Sequence, residues 1–399
     1  MTTLVACPSL PARSSSFGTM TVYAFLVAVT FSASGAAPVP LYHHYQEAFG
    51  LGPAMLTVVF ASYVLCLLAA LLTAGSLSDH LGRRPVIAAA LALNALAMVM
   101  FVTVHSTGAL IAARAVQGFA TGIATTTLGA TILDADRTRG PLLNSITAFI
   151  GLGTGSLGAG LLVAFAPAPT QLVYLVLLAV SVVAAAVLWA MPETSTPRPG
   201  ALASLWPHVH VPEAARRALM LVIPANVAFW ALGGFYFSLM PSLVRLATGL
   251  TSPLVGGAVV AAFTLSGAVA VLSLQKATAP RLLSGGIYAL MLGMALTLSG
   301  VRFEQVALMV AGTVASGAGF GAVLSGSMRS VMPLAKTHER AGLLAAFYVV
   351  SYLAFALPAM ALGVAAPMIG LAHAAYFYGA AVVLLAATSL VASRLFSGR

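Results

Sequence analysis

The sequence predicts an all-α membrane protein of twelve transmembrane helices, divided into two bundles of six. Three observations predict it. Of the 399 residues, 60% are hydrophobic and only 7% are charged, and the mean hydropathy of +1.03 lies far outside the range of a soluble domain. Twelve apolar runs each reach the ~20 residues that a helix needs to cross ~30 Å of hydrocarbon. The positive residues collect in alternate connections, as they do in a chain threaded back and forth through a bilayer.

Composition also excludes other classes. A formal net charge of +10 is compatible with nucleic-acid binding, but the positive residues lie between apolar runs and form no basic face, so no nucleic acid is expected as a partner. Cys7 and Cys66 set out neither a disulfide framework nor a metal spacing. His43-His44-x-x-Glu47 has ligand chemistry but no fourth partner, so no metal is expected. No nucleophile–base pair stands in the apolar runs, which argues against an enzyme, and no cofactor is implied.

In chain order, residues 1–18 form a short Ser- and Pro-containing tail. The first run follows Arg13 and ends in small residues, as a cleaved signal would; its length and the spans behind it argue for a retained helix. The first six spans are expected at 19–39, 53–75, 85–104, 108–132, 142–166 and 171–191. Residues 192–216 carry Pro197, Pro199, Pro207 and Pro212 and read as a polar linker. Six more spans follow at 217–240, 253–275, 283–301, 305–331, 341–365 and 369–392. The chain thus divides into the tail, a bundle over 19–191, the linker over 192–216 and a second bundle over 217–399. One set of alternate connections, with the two termini, holds 15 of the 18 Lys and Arg. Both termini are therefore expected in the cytoplasm, with an even number of spans.

The charged turn between the second and third spans runs Gly75-Ser76-Leu77-Ser78-Asp79-His80-Leu81-Gly82-Arg83-Arg84-Pro85. Gly82 and Pro85 end one helix and start another. Opposite charges this close at a membrane surface are expected to pair. The spacing resembles the G-x-x-x-D-x-x-G-R-R loop of the major facilitator superfamily of transporters, with His80 where that family most often has Arg or Lys. In the second half, Gln275-Lys276 to Arg281 occupies the equivalent place without the acid or the glycines. Met191-Pro192-Glu193-Thr194 resembles the Pro-Glu-Thr end of the sixth helix in many drug-exporting members.

Inside the membrane the polar residues are few. None of the eight carboxylates is expected at mid-membrane, and the histidines all fall in connections. Proton coupling is therefore not readable from the usual place. The one buried charge is Arg114 in the fourth span, followed at helical spacing by Gln117, Thr121 and Thr125. This stripe either lines a wet cavity or packs against neighbours while the arginine reaches outward. Arg114-Ala-Val-Gln117-Gly118 resembles the R-x-x-Q-G signature of the family's fourth helix. In the fifth span, Gly151, Gly153, Gly155, Gly158 and Gly160 resemble the antiporters' G-x-x-x-G-P-x-x-G-G pattern, with Ser156 for the proline and Ala159 for one glycine. Gly151, Gly155 and Gly160 are expected to serve close helix packing. Asn226 and Trp230 in the seventh span, with Tyr348 and Tyr352 in the eleventh, offer amide and aromatic groups.

The resemblance implies two six-helix bundles related by a pseudo-two-fold axis, working by alternating access in a cell (inner) membrane. It implies an exporter of a small organic molecule, amphipathic or cationic, acting as a monomer in lipid, with protons as a candidate coupling ion. An uncoupled facilitator or an importer of a polar metabolite is the alternative, and a transport-dead receptor or scaffold a third. The expected cavity comprises Arg114, Gln117, Thr121, Asn226, Trp230, Tyr348 and Tyr352, facing one another across the two halves. The expected cytoplasmic gate comprises Gly75, Asp79, Gly82, Arg83, Arg84, Asp134, Glu193 and Gly342. By resemblance Asp79 meets the N-terminus of the eleventh helix near Gly342, and Arg83 reaches Glu193 or Asp134.

Overall fold

The computed structural model describes residues 14–336 and 339–396. The tail with Cys7 and Arg13, the residue His338 and the terminal Arg399 lie outside the described residues. In the first half the chain forms α1 (Ser14–Ala36), α2 (Tyr42–Phe49), α3 (Pro53–Ala74), α4 (Leu77–Leu81), α5 (Arg83–Val102), α6 (Thr107–Ala135), α7 (Gly140–Phe165) and α8 (Leu172–Leu188). The second half forms α9 (Glu213–Ser238), α10 (Met240–Thr248), α11 (Pro253–Ser273), α12 (Ala279–Phe303), α13 (Val306–Val331), α14 (Arg340–Ile369) and α15 (Leu371–Phe396). Among the described residues there is no strand.

Proline sets many of the starts. Pro53, Pro141, Pro253 and Pro280 stand in the first turns of α3, α7, α11 and α12, where a missing N–H costs nothing. Proline also ends α8 short of the expected 191. Leu188 would give its carbonyl to residue 192, which is a proline, and instead accepts from Met191 in a tighter turn. The short helices α2 and α10 each follow the first long helix of their half and end on left-handed Gly50 and Gly249.

Among the described residues ten helical stretches are long and apolar enough to cross a membrane. They do not include α6, whose 29 residues carry the Arg114 stripe, or α8, an apolar helix of 17 residues. The expected number of twelve is thus reached only by counting these two.

The packing repeats itself. In the first half α6 packs on α1, α3 and α5, α1 also on α7, and α5 on α8. In the second half α13 packs on α9, α11 and α12, α9 also on α14, and α12 on α15. Replacing α1, α3, α5, α6, α7 and α8 by α9, α11, α12, α13, α14 and α15 turns one set into the other. The main contacts between halves, α3 with α14 and α7 with α11, exchange under the same replacement. Toward the end away from the Asp79 loop, one apolar core runs through both halves and holds Phe60, Tyr63, Phe229 and Phe263. Toward the loop each half has a core of its own, around Ile87 and Leu128 in the first and Leu343 and Phe347 in the second. A small cluster of Ile146, Phe149, Ala268 and Val271 joins α7 to α11.

Candidate substrate site and cytoplasmic loop

The end of α1 explains why α6 carries a glutamine at this depth. Pro38 and Pro40 follow α1, so the carbonyls of Ser34 and Ala36 lose the N–H four residues on that would satisfy them. Side chains of α6 supply donors. Gln117 donates from Nε2 to the Ser34 carbonyl at 2.7 Å, and Arg114 donates from Nη1 to the Gly35 carbonyl at 3.0 Å. Arg114 also donates to Gln117 Oε1 at 2.7 Å, and its guanidinium lies 4.3 Å from the Tyr63 ring centre. Arg114 is 1% exposed, and its Nε has no hydrogen-bond partner among the described residues. Among the described residues no carboxylate pairs with it. Thr121 turns its hydroxyl back to the Gln117 carbonyl, and the stripe opens out only at the exposed Thr125.

Tyr63 of α3 belongs to the site, although nothing in the sequence singles it out. It lies against Arg114 on one side and stands one turn along α3 from Phe60, whose ring meets Phe355 of α14, itself one turn from Tyr352. Its hydroxyl occupies the place a Cβ would take at Gly35, so that glycine permits the contact. An apolar run with one tyrosine gives no warning of this. The same holds for Asn94: it donates to Ser181 at 3.0 Å and Ser34 at 3.4 Å, tying α5 to α8 and α1.

At the joint between halves the second half contributes an aromatic cluster. The Trp230 ring stands 5.1 Å from Tyr352, 5.5 Å from Phe355 and 5.8 Å from Phe320. Tyr352 continues to Tyr348 at 5.7 Å. Two ring pairs cross the joint, Phe60 with Phe355 at 5.1 Å and Phe149 with Phe320 at 5.8 Å. The Trp230 N–H is buried and has no partner among the described residues, an arrangement that leaves a donor free for a ligand. The structure therefore brings together Arg114, Gln117 and Thr121 on one side, and Trp230, Tyr348 and Tyr352 on the other, with Tyr63 between them. Asn226 is not in this group. It bonds Ser351 within the second half, donating at 3.0 Å and accepting at 3.3 Å.

The Asp79 loop is a short helix between two glycines. Gly82 has φ +95°, which only glycine adopts without strain, and a Cβ there would meet the Glu193 carboxylate. That carboxylate accepts from the backbone N–H groups of Arg83 at 2.9 Å and Arg84 at 3.0 Å, so Glu193 caps α5 from 110 residues away. The Arg83 guanidinium pairs with Asp79 at 2.6 Å and Asp134 at 3.1 Å, and donates to Ser78 at 2.6 Å. Arg84 donates to the Trp189 carbonyl at 2.8 Å. Gly75 ends α3 and faces Thr126.

Asp79 pairs with Arg83 and does not touch α14. Gly342 at the start of α14 lies instead against His210 of the linker, whose N–H donates to the Gly342 carbonyl at 3.3 Å. The linker also holds the loop from below. His80 Nδ1 sits 3.1 Å from the Pro199 carbonyl, and the Arg198 N–H donates to the His80 carbonyl at 3.2 Å. Gly151 and Gly155 of α7 lie against α1, and Gly160 against α11.

Two helical bundles meeting around a polar and aromatic centre, with a charged loop at one end, define a membrane transporter. The family model of the Major Facilitator Superfamily matches residues 24–359. The chain belongs to that superfamily and is a multi-pass membrane protein. Its structure is similar to the crystal structure of a point mutant of the nucleoside transporter NupG, with TM-score 0.74 and 14% identity over 94% of this chain and 99% of that one. No curated protein matches the chain in sequence.

Proposed function

We propose that the protein exports a small organic molecule across the cell (inner) membrane by alternating access. The observation that carries this reading is the cluster at the joint. Arg114, Tyr63, Tyr352 and Trp230 line up across the two halves, with unpartnered donors at Arg114 Nε and Trp230 Nε1. Buried donors without partners are costly unless a ligand or water uses them. Export follows from the likeness of α7 to the antiporter pattern. In this reading α6 and α8 also span the bilayer, giving twelve spans in bundles over 19–191 and 217–399, and the transporter acts as a monomer.

The 15 of 18 Lys and Arg on one side support cytoplasmic termini and a cytoplasmic Asp79 loop. The conformation then has its halves sharing one core at the outer end, while toward the cytoplasm each has its own core and the two touch through the small α7–α11 cluster. Closing the cytoplasmic end brings α14 toward the loop, where Asp79 exchanges Arg83 for the helix N-terminus near Gly342. The nucleoside specificity in the name of the structural neighbour is that protein's own; at 14% identity the likeness is one of fold.

The test is flux in proteoliposomes, with substrates first chosen by thermal-shift screening of the purified protein. Trp230→Phe keeps the ring but removes the N–H, and is expected to lower flux about tenfold at unchanged yield, the magnitude of one lost hydrogen bond to a substrate. Absence of flux for every molecule that shifts the melting temperature would leave a receptor or scaffold as the better reading.

A further inference from the structure

A second polar site lies at the other end of the molecule, outside the cluster just described. A cavity of about 290 Å³ opens between α2, the start of α3, α10 and the end of α14. Its polar lining comes from Gln46, Thr57, Ser238, Ser242 and Arg245. A smaller pocket adjoins it, sharing Gln46, Ser242 and Arg245 and adding Tyr42 and His43.

Three features of this site favour an anion. The first is Arg245, half-buried and without a hydrogen-bonded or ion-paired partner among the described residues. Burial pulls its pKa below the ordinary value, while Glu47 pulls it back up. Glu47 lies on the exposed rim and is engaged by His43 at 3.0 Å, which leaves the guanidinium donors of Arg245 free. The second is Tyr42, 4% exposed, a lining residue of the smaller pocket whose buried hydroxyl has no partner among the described residues. Tyr42 belongs to the same apolar core as Tyr63, against which Arg114 lies, so one core separates the outer site from the central arginine. The third is the lining itself, which contains no carboxylate. A cation placed there would meet Arg245, with only the exposed rim carboxylate of Glu47, already engaged by His43, to balance it.

We propose that this cavity, with the smaller pocket that joins it at Arg245, is an anion-selective subsite at the outer mouth of the transport path, holding the carboxylate or phosphate of a small organic molecule on Arg245, with Tyr42 beside it in the smaller pocket. The proposal rests on the reading that the path runs between the two halves. It replaces a cationic substrate with an anionic one, handed from Arg245 past Tyr42 to Arg114. The volume suits one ring with its acidic group, at the small end of ligand pockets.

The test measures protection and needs no flux. In the full chain with Cys7→Ser and Cys66→Ser, Ser242→Cys is labelled with N-ethylmaleimide in neutral detergent. The probes are benzoate, phenyl phosphate, benzyl alcohol, benzylammonium and phosphatidylglycerol. One or both of the soluble anions is expected to slow labelling at least fivefold, whereas the alcohol and the ammonium leave it unchanged. Benzoate against phenyl phosphate tells which acidic group fits. Arg245→Gln should abolish the protection, and Arg245→Lys, which keeps the charge and serves if the first variant fails to fold, should weaken it severalfold. Protection by neither soluble anion, equal protection by benzylammonium, undiminished protection in Arg245→Gln, or protection by phosphatidylglycerol alone would each overturn the subsite. Anion protection without flux of any substrate would count against the transport reading only. Flux without anion protection would count against the subsite only.

Discussion

At the scale of single residues, the loop shows how one acid and its neighbour take different work. Asp79 is half exposed, and its pair with Arg83 is one of three that this guanidinium makes. Such a pair contributes ~0–1 kcal/mol. Asp79→Asn should therefore leave melting temperature and membrane insertion nearly unchanged while most flux is lost, because the exchange with α14 needs the charge. Wild-type flux in that variant would remove the exchange from the mechanism. Glu193 differs, since its carboxylate accepts from four backbone N–H groups, those of Arg83, Arg84, Thr194 and Ser195. Glu193→Ala should cost ~0.5–2 kcal/mol, as losing a helix cap does, and lower the melting temperature more than Asp79→Asn does. The sequence named Asp134 and Glu193 as alternatives for Arg83. The structure uses both, one through the guanidinium and one through the backbone, a distinction that residue types and spacing do not encode.

At the scale of elements, glycine spacing was legible but the partner helices were not. Gly151 and Gly155 are one turn apart and share a face, whereas Gly153 and Gly160 share another. The first pair lies against α1 and the second against α11, and Gly158 faces open space. A Cβ at Gly155 would overlap the Ala33 backbone, whereas at Gly158 it would touch nothing. Gly155→Ala should accordingly destabilise by ~1–3 kcal/mol through overpacking. Gly158→Ala should be neutral or stabilise by up to ~1 kcal/mol through helix propensity. Unfolding of the two purified variants, followed by tryptophan fluorescence, checks the difference; equal effects would mean that α1 and α7 do not approach this closely. The polar stripe on α6 was likewise readable from its 3.6-residue period, but its use as a cap for α1 was not. That depends on Pro38 freeing the Ser34 carbonyl, which Gln117 meets from 83 residues further along the chain.

At the scale of the whole molecule, the pattern of apolar runs carried most of the fold, because a bilayer leaves the backbone few alternatives to the helix. What it did not carry is the lateral order of helices, which is set by packing between segments far apart in the chain. Energy coupling belongs to this scale too. Arg114 is buried with no carboxylate partner among the described residues, and an arginine does not release its proton in a protein. The acids nearest along α6 are Asp134 and Asp136, some 20 residues on, or ~30 Å at the helical rise, and Asp134 is already paired with Arg83. Any proton coupling is therefore expected to act through a protonated form of the substrate or indirectly through the cytoplasmic loop. Net flux should persist without a pH gradient when the substrate does not titrate, and should follow the gradient when it does. A strict need for the gradient with a non-titrating substrate would mean that a proton-carrying group has been overlooked. Arg114→Ala should impair flux at least tenfold under either mechanism, since it removes both the cap on α1 and the central charge. Arg114→Lys should recover part of it if charge alone matters, and none if the paired donation to Gly35 and Gln117 is what keeps α1 in register with α6.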